Sequence, residues 1–303
     1  MESKPMTGVV PILITPFDEE GRIDEASLRR LVEFNVESGV HGVGVANGSE
    51  MFKMSEAERA QIVRCVVDAV RGRVPVVIST GAPGTDVTIA FSRAAEAAGA
   101  DMVMITPPAF MPVAADGIVE HYRRVSQSIG IPICLQDVPA GPVPPGLALR
   151  IARECDKVRY IKVETFPVTV KLGEMVAAAS SALTILGGAN GTYFIEEMRR
   201  GSQGTMPYCS QPAVFVEVWN RFRAGDEAGA RALFDARIMA VNRLVGQGND
   251  TQHHLHKQFL VRQGIIRTAK VRGPTVPPDA ITQGEIDKAL AQLLPDPRPF
   301  DGG

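Results

Sequence analysis

Eight times along the chain a short run of β-branched and apolar residues gives way to a longer stretch of helical periodicity, and this alternation limits the fold more than any other feature. The expected strands are residues 8–16, 42–47, 74–80, 101–106, 131–138, 158–163, 183–187 and 204–208. Runs that are apolar almost throughout suit strands buried on both faces, as in a parallel sheet covered by helices. Between them, residues 24–38 place Leu28, Leu31, Val32 and Val36 on one helical face. Residues 55–70 open with Ser55-Glu56-Ala57-Glu58, where Ser55 and Glu58 can satisfy the free donors of a helix start. Residues 85–98 and 117–128 read as helices in the same way. Small-residue breaks such as Gly39-Val40-His41-Gly42 and Gly99-Ala100-Asp101 stop helices before strands. An open doubly wound sheet usually has fewer than eight strands, so the expected fold is a closed α/β (β/α)8 TIM barrel. After Ala224 the pattern is helical only, over 226–245, 251–263 and 282–294. No long linker intervenes, so residues 1–224 are expected to form the barrel and 225–303 a C-terminal helical region packed on it.

Chemistry in such a barrel sits at the C-terminal ends of the strands. That rule selects Thr15, Asn47, Ser49, Glu50, Thr80, Thr106, Gln136, Asp137, Lys162, Glu164, Gly187, Gly188 and Tyr208. Lys162 is the informative one, because it interrupts a run otherwise suited to a central strand. Alternation puts Tyr160, Lys162 and Glu164 on one face. A lysine directed into a barrel loses hydration, which favours the neutral amine that attacks a ketone. A structural ion pair between Lys162 and Glu164 accounts for the same pattern equally well.

Other features narrow the function. A formal net charge of −2 offers no field for a nucleic-acid backbone or an anionic membrane. The opening Met1-Glu2-Ser3-Lys4-Pro5 has no apolar core of signal-peptide type, and a cytoplasmic protein is expected. Cys65, Cys134, Cys155 and Cys209 are too scattered for a C-x-x-C pair and are expected to be reduced and mostly buried. Gly42-x-Gly44-x-x-x-Gly48 has the wrong spacing for a dinucleotide loop. Gly187-Gly188-Ala189-Asn190-Gly191 precedes a helix, so its amides can meet an anion or simply make a tight turn. His253-His254-Leu255-His256 lacks zinc-ligand spacing and is expected on an exposed polar helix face.

Three segments together are more specific: Val10-Pro11-Ile12-Leu13-Ile14-Thr15-Pro16-Phe17, Ile131-Pro132-Ile133-Cys134-Leu135-Gln136-Asp137-Val138-Pro139 and Tyr160-Ile161-Lys162-Val163-Glu164-Thr165. With them the chain resembles the dihydrodipicolinate synthase/N-acetylneuraminate lyase family over roughly residues 7–294. The resemblance implies that Lys162 forms a Schiff base with a small 2-keto acid. It also implies a homo-oligomer, commonly a tetramer, with no metal or organic cofactor. The departures are as telling. Gln136 stands where synthases carry a relay tyrosine, and Asn47-Gly48 where they carry a threonine pair. Pro107-Pro108-Ala109-Phe110 lacks the second relay tyrosine, and Ala140-Gly141-Pro142 lacks the arginine that binds the aldehyde partner's carboxylate.

These departures look like the 2-keto-3-deoxy sugar-acid dehydratase branch, L-2-keto-3-deoxyarabonate dehydratase most of all. The expected reaction is elimination of water from a lysine-bound keto acid. Lys162, Glu164 and Gln136 are expected in the catalytic group, with Glu164 as acid/base. Asn47, Gly48, Ser49, Asp137 and Gly188 are expected to contact substrate, and Glu50 to anchor the strand-two loop. Two alternatives stand beside this expectation: a pyruvate-dependent aldolase or synthase, and a sugar-acid-binding barrel without catalysis.

Overall fold

The computed structural model describes residues 5–248 and 250–300; the first four positions, Asn249 and residues 301–303 lie outside it. Its element order is that of a (β/α)8 barrel followed by further helices. The strands are β1 (Gly8–Val9), β2 (Val43–Val45), β3 (Val76–Ser79), β4 (Met102–Ile105), β5 (Ile133–Asp137), β6 (Val158–Val163), β7 (Thr184–Gly187) and β8 (Gly204–Thr205). The helices between and after them are α1 (Glu25–Glu37), α2 (Glu56–Val70), α3 (Thr85–Ala97), α4 (Ala115–Ser126), α5 (Pro145–Glu154), α6 (Val168–Ala179), α7 (Phe194–Arg199) and α8 (Pro212–Arg223).

The chain divides into two compact units. One comprises residues 1–10 and 74–207, the other 11–73 and 208–303. In the first unit the strands run in parallel order β1-β8-β7-β6-β5-β4-β3. The register sets Gln136 opposite Lys162 and Lys162 opposite Leu186, while Asp137 faces Val163 and Val163 faces Gly187. Every residue of β4 and β5 is buried, as expected of strands covered on both faces.

The second unit holds α1, β2, α2 and α8, with Ile12 bridging in parallel to both Gly44 and Tyr208. Asp24 caps α1 by accepting from the Ser27 amide, and Ser55 and Glu58 form the expected reciprocal cap on α2. The C-terminal helices are α9 (Glu227–Leu233), α10 (Ala240–Val245), α11 (Thr251–Arg262) and α12 (Ala280–Leu293). The stretch read as one helix over 226–245 is interrupted by a π-helical turn, Phe234–Met239. Val241, Leu244, Leu255, Phe259, Ile286 and Leu290 form a buried core between α10, α11 and α12. Their three- and four-residue spacing puts them on single helix faces. Among the described residues no helix is long and apolar enough to cross a membrane.

Candidate active site

The C-terminal ends of β5, β6 and β7 gather polar side chains in the first unit. Lys162 is 5% exposed, and its Nζ lies 2.9 Å from Glu164 Oε1. Tyr160, two residues back on the same face, accepts a hydrogen bond from the Met6 amide at its hydroxyl. Glu164 follows the last residue of β6 and is held from three sides. Lys162 meets Oε1, the Ala189 amide donates to Oε1 at 3.1 Å, and Gln136 Nε2 donates to Oε2 at 3.3 Å. Thr106 at the end of β4 donates in turn to Gln136 Oε1 at 3.1 Å, which orients the amide so that its NH2 faces Glu164. Gln136 therefore occupies its place as a donor to a carboxylate.

The glycine-rich turn after β7 does meet an anion, the carboxylate of Glu164. Ala189 and Asn190 there adopt φ of 46° and 60°, the left-handed region that L side chains rarely occupy. Gly188 has no room for a side chain, since a Cβ would lie 2.4 Å from Glu164 Cγ. Gly187 is equally constrained, with a Cβ only 1.8 Å from Glu197 Oε2. Glu197 lies on α7, is fully buried, and neither of its carboxyl oxygens has a hydrogen-bond partner among the described residues. Burial above all, and then the charge of Glu164, push its carboxyl up to about 8. Nothing in the local sequence marks it, as Glu196-Glu197 reads as an ordinary polar helix turn. The preceding Gly187-Gly188 pair is the signal that an adjacent group needs the space.

Asp137 is directed differently from its neighbour Gln136, as strand alternation requires. It is fully buried, and its oxygens accept from the Val143 amide at 2.8 Å, the Thr165 hydroxyl at 2.8 Å and the Thr165 amide at 3.1 Å. Lys171 Nζ at 2.6 Å and the Glu164 amide at 3.3 Å complete the set. These bonds tie the loop after β6 to β5 and to α6.

Asn47, Gly48 and Ser49 form a 3₁₀ turn after β2, in the second unit. The Asn47 side chain is exposed, and Gly48 packs near Ile12 and the Tyr208 ring. The Ser49 hydroxyl is engaged within the protein, accepting from the Ala46 amide at 3.0 Å and donating to the Leu13 carbonyl. Glu50 anchors this loop. It is fully buried, with Lys257 Nζ at 2.5 Å, Lys53 Nζ at 3.1 Å and the Arg272 amide at 3.2 Å. Burial pushes the Lys257 ammonium down to about 8.

The histidine run corrects an expectation. His253 and His256 are each 2% exposed, because residues three apart share the inward face of α11. His253 pairs with Asp250 at 2.5 Å, and His256 bonds Ser210 at 2.8 Å while stacking on Tyr208. All four cysteines are free and buried.

Comparison with known proteins settles the lineage. Residues 5–293 match the Dihydrodipicolinate synthetase family. The chain belongs to that family. It is one of lyases, of aldolase or dehydratase type. This family member is 32% identical over 299 residues to the L-2-keto-3-deoxyarabonate dehydratase of Azospirillum brasilense, covering 95% of the chain and 94% of that protein. It is 35% identical over 300 residues to the 4-hydroxy-tetrahydrodipicolinate synthase of Sorangium cellulosum, covering 97% and 98%. Among solved structures, the dihydrodipicolinate synthase of Rhodopseudomonas palustris superposes with a TM-score of 0.87 at 27% identity, covering 95% and 98%.

Proposed function

We propose that the chain is a Schiff-base lyase acting on a small 2-keto acid, and specifically a dehydratase of a 2-keto-3-deoxy sugar acid. The observation that carries this reading is the buried Lys162 amine held 2.9 Å from a Glu164 carboxylate that Gln136, in place of a tyrosine, also contacts. Lys162 adds to the C2 carbonyl, and loss of that oxygen as water leaves a protonated imine. The imine draws electrons from the C3–H bond, and Glu164 takes the C3 proton to give an enamine. The enamine expels the C4 hydroxyl, which leaves as water with a proton returned by Glu164. In this scheme one carboxyl serves as base and then as acid, at the distance from Lys162 Nζ that also lets it accept the ammonium proton. Gln136 and the Ala189 amide hold its two oxygens apart and orient it. Asp137, with its oxygens taken up by Thr165, Lys171 and the Val143 amide, acts by fixing the loop that bears Glu164.

A synthase reading is favoured by the comparable identity to the Sorangium cellulosum protein. It is opposed by the chemistry of position 136, since an amide cannot relay protons as a phenol does. Borohydride treatment with pyruvate or a 2-keto-3-deoxy acid tests the central step. One ligand mass should be added per chain on the peptide containing Lys162, and Lys162→Arg should abolish it, because a guanidinium stays protonated. Labelling at another lysine would refute the assignment.

A further inference from the structure

Glu197 lies outside every step above, yet it is placed in a costly way. A buried carboxylate without donors is strongly disfavoured relative to the protonated acid, and an aliphatic side chain would fill the same space without that penalty. Its location is specific: Gly187 and Gly188 are successive, and a Cβ on the first would strike Glu197 while a Cβ on the second would strike Glu164. Successive Cβ positions on extended backbone point to opposite faces, so the two carboxyl groups flank a backbone step that carries no side chains. We propose that Glu197 is a positioning residue for the reaction at Lys162, an uncharged carboxyl whose ionisation holds the Lys162–Glu164 pair in its charged, unreactive form. The proposal rests on the Schiff-base reading.

The reasoning is electrostatic. With Glu197 neutral, a single carboxylate faces the Lys162 ammonium, and proton transfer between them yields the free amine. A second carboxylate in this low-dielectric place stabilises the ammonium and opposes the loss of positive charge when imine becomes enamine. The titratable groups about Glu197 are Lys162 on β6 and Glu164 just after that strand, Glu196 and Arg199 on α7 itself, and Lys171 and Glu174 on α6, which packs on α7. Lys171 is engaged by Asp137. Burial and the Glu164 charge place the Glu197 titration at about 8, within reach of a rate measurement.

The experiment follows exchange of the pyruvate methyl protons for deuterium by NMR from pH 6 to 10, which reports imine and enamine formation without a sugar-acid substrate. The wild-type rate should fall through a pH of about 8, by roughly tenfold per pH unit beyond it, as for one ionisation. Glu197→Gln preserves shape, cannot ionise, and should lose that descent while matching wild type near neutrality. Infrared difference spectra should show a protonated-carboxyl band in wild type that titrates over the same range and is missing from the variant. A purely structural role would alter melting temperature and leave the pH profile unchanged. Should Glu197→Gln not fold, Glu197→Met must lose the same limb. A variant retaining the wild-type descent, or a wild type without the infrared band at pH 6, refutes the proposal. Exchange with a borohydride adduct at Lys162 but no Glu197-dependent limb overturns this role alone. Absence of the adduct overturns the Schiff-base reading and this role with it.

Discussion

Gly188→Ala tests the site with a single methyl group. The added Cβ would stand 2.4 Å from Glu164 Cγ and 2.7 Å from both Cδ and Oε1. Carbon atoms settle at about 3.5–4.0 Å, so the Glu164 side chain must retreat by roughly 1 Å or more. Its Oε1 now receives Lys162 Nζ at 2.9 Å and the Ala189 amide at 3.1 Å. A retreat of that size carries both contacts past hydrogen-bonding range. Misplacing a reacting group by about 1 Å can cost ~10²-fold in rate, and complete loss of general acid–base help costs ~10²–10⁴. The expected fall in pyruvate proton exchange near pH 7 is therefore about 10²-fold, toward the lower end because the carboxylate is moved and not removed. Borohydride trapping at Lys162 should persist, and thermal unfolding separates a displaced carboxylate from a damaged fold. A folded Gly188→Ala protein exchanging protons within about threefold of wild type would show that Glu164 does not move the proton, whatever the ~10²-fold estimate.

Glu164→Gln should keep the hydrogen-bonding shape and the borohydride adduct while turnover falls by ~10²–10⁴; near-normal turnover would redirect attention to water or Asp137. Incubation with pyruvate and aspartate semialdehyde should give little heterocyclic product beside the dehydration of a sugar acid, since Gln136 cannot relay a proton. A comparable synthase rate would reverse the preference. Lys257→Met leaves the buried Glu50 carboxylate with Lys53 and the Arg272 amide only. Breaking a buried pair typically costs about 3–5 kcal/mol, and Lys53 should hold the loss to about 3 kcal/mol, or roughly 5 °C in melting temperature for a chain of this length. Calorimetry showing an unchanged transition would mean that the pair contributes nothing to holding the loop.

Much of the architecture was legible because it is written in local periodicity. Strand and helix periods, the Ser55–Glu58 cap and the glycine stops depend on neighbours within a few residues, and these elements formed near where they were expected. The strand alternation also set Lys162 and Glu164 on a common side, and the two side chains do meet. Sequence left open whether that pairing was structural or chemical. Both readings require the same contact, and the distinction lies in what else surrounds Glu164.

Tertiary structure decided those surroundings. The Gln136 amide and the Ala189 N–H reach Glu164 from strands and loops 28 and 25 residues away along the chain. Glu50 finds its lysine 207 residues on, which no local pattern announces. His253 and His256 look like solvent-facing residues by composition, but the face of α11 they share is the one that packs. Glu197 is the clearest instance. As part of a Glu-Glu pair in a short helix it carries no sign of being special. It becomes a buried carboxyl without hydrogen-bond partners among the described residues, its acid form favoured by burial, only once the helix closes over Gly187. Periodicity fixes which way a side chain points from its own backbone, whereas charge state and reactivity depend on the field and hydration made by segments brought together from afar.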